Sequence, residues 1–154
     1  MKKIISLTSE QTLDLGRQIG QAIISPFAIA LKGDLGSGKT TLVQGLAKGL
    51  GIGDDYYITS PTYTIINEYP AMKIRLCHLD LYRLGSADEL EYIGFDDLAG
   101  PDAVIVVEWP GFLEEMQFKF DLEIKFEFDA DYNRIISLFP SGQTGINLVS
   151  KLFL

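Results

Sequence analysis

The chain has 154 residues, 47% of them hydrophobic, one cysteine and a formal net charge of −8 at neutral pH. That size and apolar share suit one globular domain with a substantial core, and a lone Cys77 excludes an intramolecular disulfide and reads as a small buried apolar residue in a reducing compartment. No apolar run reaches membrane-spanning length and no signal-peptide pattern opens the chain, so the reading is cytoplasmic. Between Asp88 and Asp131 there are fourteen acids and two lysines, a balance that disfavours direct tight binding of nucleic acid. That stretch reads either as a solubilising surface or as a docking face for a basic partner.

Ile4 to Leu7 reads as a short first strand, and Thr8 or Ser9 caps a helix with Leu15, Ile19, Ala22 and Ile23 as its apolar stripe. After Pro26, the run Phe27-Ala28-Ile29-Ala30-Leu31 predicts a buried strand. A glycine-rich loop follows, then a helix from about Gly38 carrying Leu42, Val43, Leu46, Ala47 and Leu50 at helical spacing until Gly51 and Gly53 end it. Ser60-Pro61-Thr62 opens an extended segment that runs through Tyr69 to Pro70.

Lys73 to Tyr82 alternates and predicts a strand ending near Asp80, with Ile74, Leu76, His78 and Asp80 on one face. Ser86 is placed to cap a short helix from Ala87 to about Tyr92. Ala103 to Val107 is continuously apolar and β-branched, the pattern of a parallel strand covered on both faces, and Glu108 follows at once. From Phe118 to Phe128 apolar and charged residues alternate strictly, which predicts a half-exposed antiparallel strand. Asp131 to Asn133 turns the chain, Arg134 to Phe139 returns, and Ile146, Val149, Leu152 and Phe153 mark a last helix. The sum is an α/β fold: a central, mainly parallel sheet flanked by helices, with antiparallel strands added.

The loop between the buried strand and its helix, Gly33-Asp34-Leu35-Gly36-Ser37-Gly38-Lys39-Thr40, matches the phosphate-binding pattern G-x-x-x-x-G-K-[ST]. Glycines at 33, 36 and 38 let the backbone N–H groups turn inward around a polyphosphate, and the helix N-terminus adds its positive pole. Lys39 would supply a charge to the β- and γ-phosphates, and the Thr40 hydroxyl would enter the shell of Mg2+. Glu108, at the end of the cleanest buried strand, faces the crevice where ligands bind in open α/β sheets and is assigned to Mg2+. Asp80 is placed either to orient an attacking water or to hold the magnesium shell. His78, the lone histidine, reads first as a hydrogen-bonded structural residue. Thr62 lies where switch-type loops sense a γ-phosphate, Arg83 is the cation nearest Asp80 in sequence, and Trp109 with Pro110 either walls the site or belongs to the core.

With the phosphate loop, Thr59-Ser60-Pro61-Thr62-Tyr63-Thr64, His78-Leu79-Asp80-Leu81-Tyr82-Arg83-Leu84 and Glu108-Trp109-Pro110 taken together, the chain resembles the TsaE (YjeE) family. The segments Glu10 to Gly16 and Glu89 to Gly94 also look like family segments, and the region after Gly111 matches least. The resemblance implies a P-loop NTPase fold and a small, slow Mg2+-dependent ATPase needed for the threonylcarbamoyl modification of adenosine in tRNA. It implies TsaD, which transfers the group, and TsaB as partners. Carried over by motif, Gly36, Ser37, Gly38, Lys39, Thr40 and Thr41 hold the phosphates, and Thr40 and Glu108 hold Mg2+. Asp80 corresponds to a functionally needed aspartate, Trp109 to a tryptophan beside the site, and Glu10 to a segment that approaches the nucleotide.

Two rival readings come from other classes. A small-molecule kinase needs several arginines and a lid, whereas Arg17, Arg75, Arg83 and Arg134 are scattered along the chain. A GTPase is weaker still, because no Asn-Lys-x-Asp string occurs and Asp97-Leu98-Ala99-Gly100 does not end an apolar strand. A nucleotide-dependent binding module differs from the family reading only in leaving the γ-phosphate uncleaved.

Overall fold

Thr8 separates the first strand from the first helix through two short-range hydrogen bonds. Its hydroxyl accepts the Gln11 N–H at 3.2 Å, while Gln11 Oε1 accepts the Leu7 N–H at 2.7 Å, a reciprocal cap that fixes where the helix begins. The computed structural model describes residues 1–24, 26–72 and 74–152. In chain order these form β1 (Lys2–Ser6), α1 (Ser9–Ala22), β2 (Phe27–Lys32), α2 (Lys39–Gly49), β3 (Ile66–Pro70), β4 (Arg75–Asp80) and α3 (Glu89–Tyr92). There follow α4 (Phe95–Leu98), β5 (Ala103–Glu108), α5 (Gly111–Glu115), β6 (Leu122–Phe128), β7 (Arg134–Pro140) and α6 (Gly142–Ser150).

The strands make one seven-stranded sheet in the order β1-β7-β6-β2-β5-β4-β3. Its centre is parallel, β6 with β2, β2 with β5 and β5 with β4, and antiparallel neighbours finish both margins. β5 carries the logic of the two layers. Val104 and Val106 enter a core with α1, α2 and α6, and Ala103, Ile105 and Val107 enter a second core with residues of α3, α4 and α5. A strand covered on both faces has no polar side to show, which is why its sequence is continuously apolar. Cys77 is wholly buried in the second core and burial pushes its thiol up to about 11, in keeping with an unreactive packing residue.

Several expected boundaries move. The alternating segment begins its ladder only at Leu122, because Phe118 and Phe120 leave the strand to pack in an edge-on aromatic group with Phe95. β6 is antiparallel to β7 but parallel to β2, so only one of its two neighbours fits the antiparallel expectation. Residues 62–65 form a turn and a bend rather than an extended stretch, and the strand starts at Ile66. Ser86 does not cap α3, whose N-cap is Asp88 without a side-chain bond, and Ile146 faces solvent while Val149 and Leu152 reach the core. Lys73 and Phe153 lie outside the described residues.

The closest helix pair is α1 with α2. A Cβ on Gly16 would stand 2.1 Å from the Leu42 carbonyl oxygen, and one on Gly45 only 1.9 Å from that of Leu13, so the backbones touch directly. This contact sets the start of α1 against the loop that precedes α2, where Thr12 comes beside Gly38. Gly45→Ala is therefore expected to lower stability by about 2–3 kcal/mol, read as a reduced denaturation midpoint, although alanine is the better helix former by about 1 kcal/mol. A midpoint equal to the parent's would mean that the two helices part without strain.

Candidate functional site

β2 delivers the chain to the carboxyl edge of the sheet, and residues 33–38 turn it back into α2. Gly33, Gly36 and Gly38 all have positive φ, at 148°, 77° and 107°. At Gly33 space is short as well, since a Cβ would meet Phe126 Cβ at 2.8 Å and Ser37 Oγ at 2.9 Å. The loop thus has the backbone conformation that the sequence pattern demands.

Lys39 is the first residue of α2, buried, and folded back onto its own loop. Its Nζ donates to the carbonyl oxygens of Gly33 at 2.7 Å and Asp34 at 2.9 Å and lies 4.8 Å from the centre of the Trp109 ring. Burial holds its ammonium below the usual lysine range, opposed by the charges of Glu108, Asp80 and Asp34. A cation taken out of water, with direct contacts to carbonyl dipoles and a π face and no carboxylate in hydrogen-bond contact, gains much from an arriving anion. Beside it, the buried Ser37 hydroxyl has no hydrogen-bond partner. The cradle holds donors in want of an acceptor.

Two acids close one flank. The parallel register pairs Asp80 with Glu108 across β4 and β5, and Glu108 with Leu31 across β5 and β2, so both carboxylates stand at the edge from which the loop departs. Both are nearly fully buried. Glu108 Oε1 accepts from the Thr40 hydroxyl at 3.3 Å and from His78 Nε2 at 2.9 Å. Since a carboxylate oxygen only accepts, Nε2 carries the proton that faces it, and His78 Nδ1 is left buried without a partner. Asp80 Oδ2 accepts from the hydroxyls of Ser60 at 2.9 Å and Thr62 at 2.8 Å, and Oδ1 accepts the Tyr82 N–H at 3.0 Å. Asp80 therefore ties the 60–62 segment to the strand end.

Trp109 follows Glu108 with a positive φ of 57°, an uncommon backbone state for an aromatic residue, and packs 5.0 Å from the Tyr82 ring. Of its two readings, the wall is the one its contact with Lys39 supports. Arg83 stands over the Tyr63 ring at 4.8 Å, and Lys39 is the cation that senses Asp80. Thr41 is half-buried in the first turn of α2. Glu10 is exposed in the first turn of α1, and Thr12, two residues on, is the α1 side chain found beside Gly38.

Among the described residues no group of three or more His, Cys, Asp or Glu could hold a metal ion. What the site offers is one hydroxyl, Thr40, and one carboxylate, Glu108, with Oε2 free of hydrogen bonds. These are hard oxygen donors, too few to bind an ion alone, and they fit Mg2+, which keeps waters and borrows phosphate oxygens.

Comparison with known proteins agrees with this architecture. The model of the family described as "Threonylcarbamoyl adenosine biosynthesis protein TsaE" matches residues 6–136. The chain belongs to the TsaE family. A "tRNA threonylcarbamoyladenosine biosynthesis protein TsaE" from Aquifex aeolicus is 34% identical over 139 residues, covering 90% of this chain and 96% of that one. One from a Nostoc species is 43% identical over 125 residues, covering 77% and 72%. The crystal structure of Bacillus subtilis YdiB superposes with a TM-score of 0.76 at 30% identity, covering 97% of this chain and 92% of that one. The fold is that of the P-loop NTPases, and the TsaE match spans the phosphate loop, both acids and the start of β7.

The sequence located the loop and both acids but not their partners. Ser60 and Thr62 as donors to Asp80, and His78 as a donor to Glu108, depend on how β4 lies against β5 and against the preceding loop. The alternation that put His78 and Asp80 on one face was the available signal.

Proposed function

We propose that this chain is a slow Mg2+-dependent ATPase that serves the formation of N6-threonylcarbamoyladenosine in tRNA, working in the cytoplasm with TsaD and TsaB rather than on tRNA directly. The observation that carries the reading is the buried Lys39 set beside the Thr40–Glu108 pair at the carboxyl ends of β2 and β5. Family membership directs it to the tRNA modification.

In this reading the N–H groups of Gly36 to Thr41 and the N-terminus of α2 hold the phosphates, and Lys39 exchanges its loop carbonyls for the β- and γ-phosphates. Mg2+, held by Thr40 and Glu108, would neutralise charge on the phosphates. Asp80 orients the attacking water, and Trp109 screens one side of the site from solvent. An arginine finger is worth roughly 10³–10⁵-fold in such reactions. Arg17 is paired with Asp14, Arg75 with Glu68 and Asp102, and Arg83 is stacked on Tyr63, so none of the three is directed at the acid flank. That arrangement supports slow turnover raised by a partner, and it disfavours a small-molecule kinase.

The test is reconstitution of tRNA modification with TsaB and TsaD under multiple-turnover conditions, with and without this chain. Both modified tRNA and ATP hydrolysis are expected to rise when it is present. If neither changes, the partner assignment is wrong. If modification rises with no hydrolysis, the chain is a nucleotide-dependent binding module.

A further inference from the structure

The stretch from Asp88 to Asp131, with fourteen acids against two lysines, places two of those acids on a cleft. α5 starts directly after Trp109 and Pro110 and is five residues long, so Glu114 and Glu115 at its end line the same cleft as the Trp109 ring. The cleft measures about 410 Å3, and Tyr82, Leu84, Trp109, Pro110 and Phe112 make most of its wall. Gly33, the first residue of the phosphate loop, also borders it. The chain's own packing leaves this wall open: Tyr82 is 52% exposed, and Trp109 and Phe112 are half-buried. Trp109 is held there at a positive φ of 57°, a backbone state that recurs at ligand clamps. Its ring lies against both Lys39 and Tyr82, so one side chain borders the phosphate loop and the cleft together.

Charge decides what fits such a wall. Lys32, at the end of β2, is shared by Glu114 at 2.6 Å and Glu123 at 3.0 Å, and none of the ion pairs among the described residues includes Glu115. Three carboxylates thus meet one ammonium around the cleft. Aromatic walls beside surplus acid suit a cation that stacks flat and forks onto a carboxylate at once, which a guanidinium does and an ammonium does not. None of the chain's four arginines lines the cleft. Arg17 is paired with Asp14, Arg75 with Glu68 and Asp102, Arg83 stands over Tyr63, and Arg134 Nε donates to the Ser37 carbonyl oxygen at 3.1 Å. The cation that completes this cleft comes from another molecule.

We infer that the cleft docks an arginine side chain of a partner protein, with Tyr82 and Trp109 as its aromatic wall and Glu115 as its carboxylate. This rests on the reading that partner proteins act on this chain. A partner held there touches the same ring that touches Lys39, which joins docking to the nucleotide site through one residue.

The test uses the TsaB–TsaD pair as partner and compares the parent with Glu115→Gln, Glu115→Lys and Asp96→Lys. The last makes the same charge change at an exposed acid that does not line the cleft. Glu115→Lys is expected to weaken binding of the pair by roughly 10- to 100-fold, and Glu115→Gln, the milder change, by roughly 3- to 10-fold. Asp96→Lys is expected to leave the affinity near the parent's, and ATP hydrolysis measured without the pair is expected to match the parent's in all three. Phenylglyoxal, which modifies arginine, then identifies the occupant by mass spectrometry. One arginine of the pair is expected to be protected by the parent and to stay reactive beside Glu115→Lys at equal occupancy. Equal losses in Glu115→Lys and Asp96→Lys would reduce the effect to overall charge and overturn the assignment. Unchanged affinity in both Glu115 variants overturns it too, as does a pair in which no arginine is protected or in which protection survives Glu115→Lys. If the parent itself does not bind the pair, the proposed partnership fails, and this inference with it.

Discussion

Replacing Lys39 with alanine is expected to lower ATP hydrolysis by roughly 10²–10³-fold, the range seen when a group aimed at developing charge is removed, with little change in stability. The small stability effect follows from opposed terms. The ammonium's bonds to Gly33 and Asp34 are charge-assisted and worth about 1.5–3 kcal/mol in favourable cases. Burying that charge opposes this gain, as its depressed affinity for a proton indicates. Binding reverses the balance, because a phosphate favours the charged form. ATP affinity therefore falls as pH rises through the lowered Lys39 value, with a proton taken up on binding in that window. Calorimetry in buffers of different ionisation enthalpy reads that proton directly. A Lys39→Ala protein that turned over ATP at the parental rate would place the fuel site elsewhere.

Much of this site was legible because its signals are local. Glycines at fixed offsets before Lys39 and Thr40 encode a loop conformation, and five apolar residues before Glu108 encode a strand buried on both faces. Neither statement needs knowledge of what lies across the sheet. The features that escaped are those that depend on register. His78 meets Glu108 because β4 and β5 pair with Asp80 opposite Glu108, and Arg134 meets Ser37 because a hairpin returns at the loop's edge. Sequence distance hid Arg134 completely: 97 residues separate it from its partner. The alternation from Phe118 misled for a related reason, since an aromatic residue two places before a strand serves equally well in a neighbouring aromatic cluster.

The Thr40–Glu108–His78 chain yields the second large effect. Glu108→Ala is expected to lose hydrolysis by at least roughly 10²-fold while sparing more nucleotide affinity than Lys39→Ala, because the loop N–H groups and Lys39 remain. It also strips the acceptor from His78, leaving a buried N–H unpaired at a cost of about 1–3 kcal/mol. Glu108→Gln separates the two consequences: its amide oxygen still accepts from His78, so stability recovers while the charge at the proposed magnesium position stays lost. His78→Gln keeps a donor near the position of Nε2, whereas His78→Leu removes it. If the histidine works by holding Glu108, His78→Leu raises the Mg2+ concentration needed for half-maximal hydrolysis, and His78→Gln restores much of it. The same His78→Leu change made on top of Glu108→Ala then costs no further activity, since the group it positions is already gone. Independent, multiplying losses in that double variant would show that His78 acts on the reaction by a route other than Glu108.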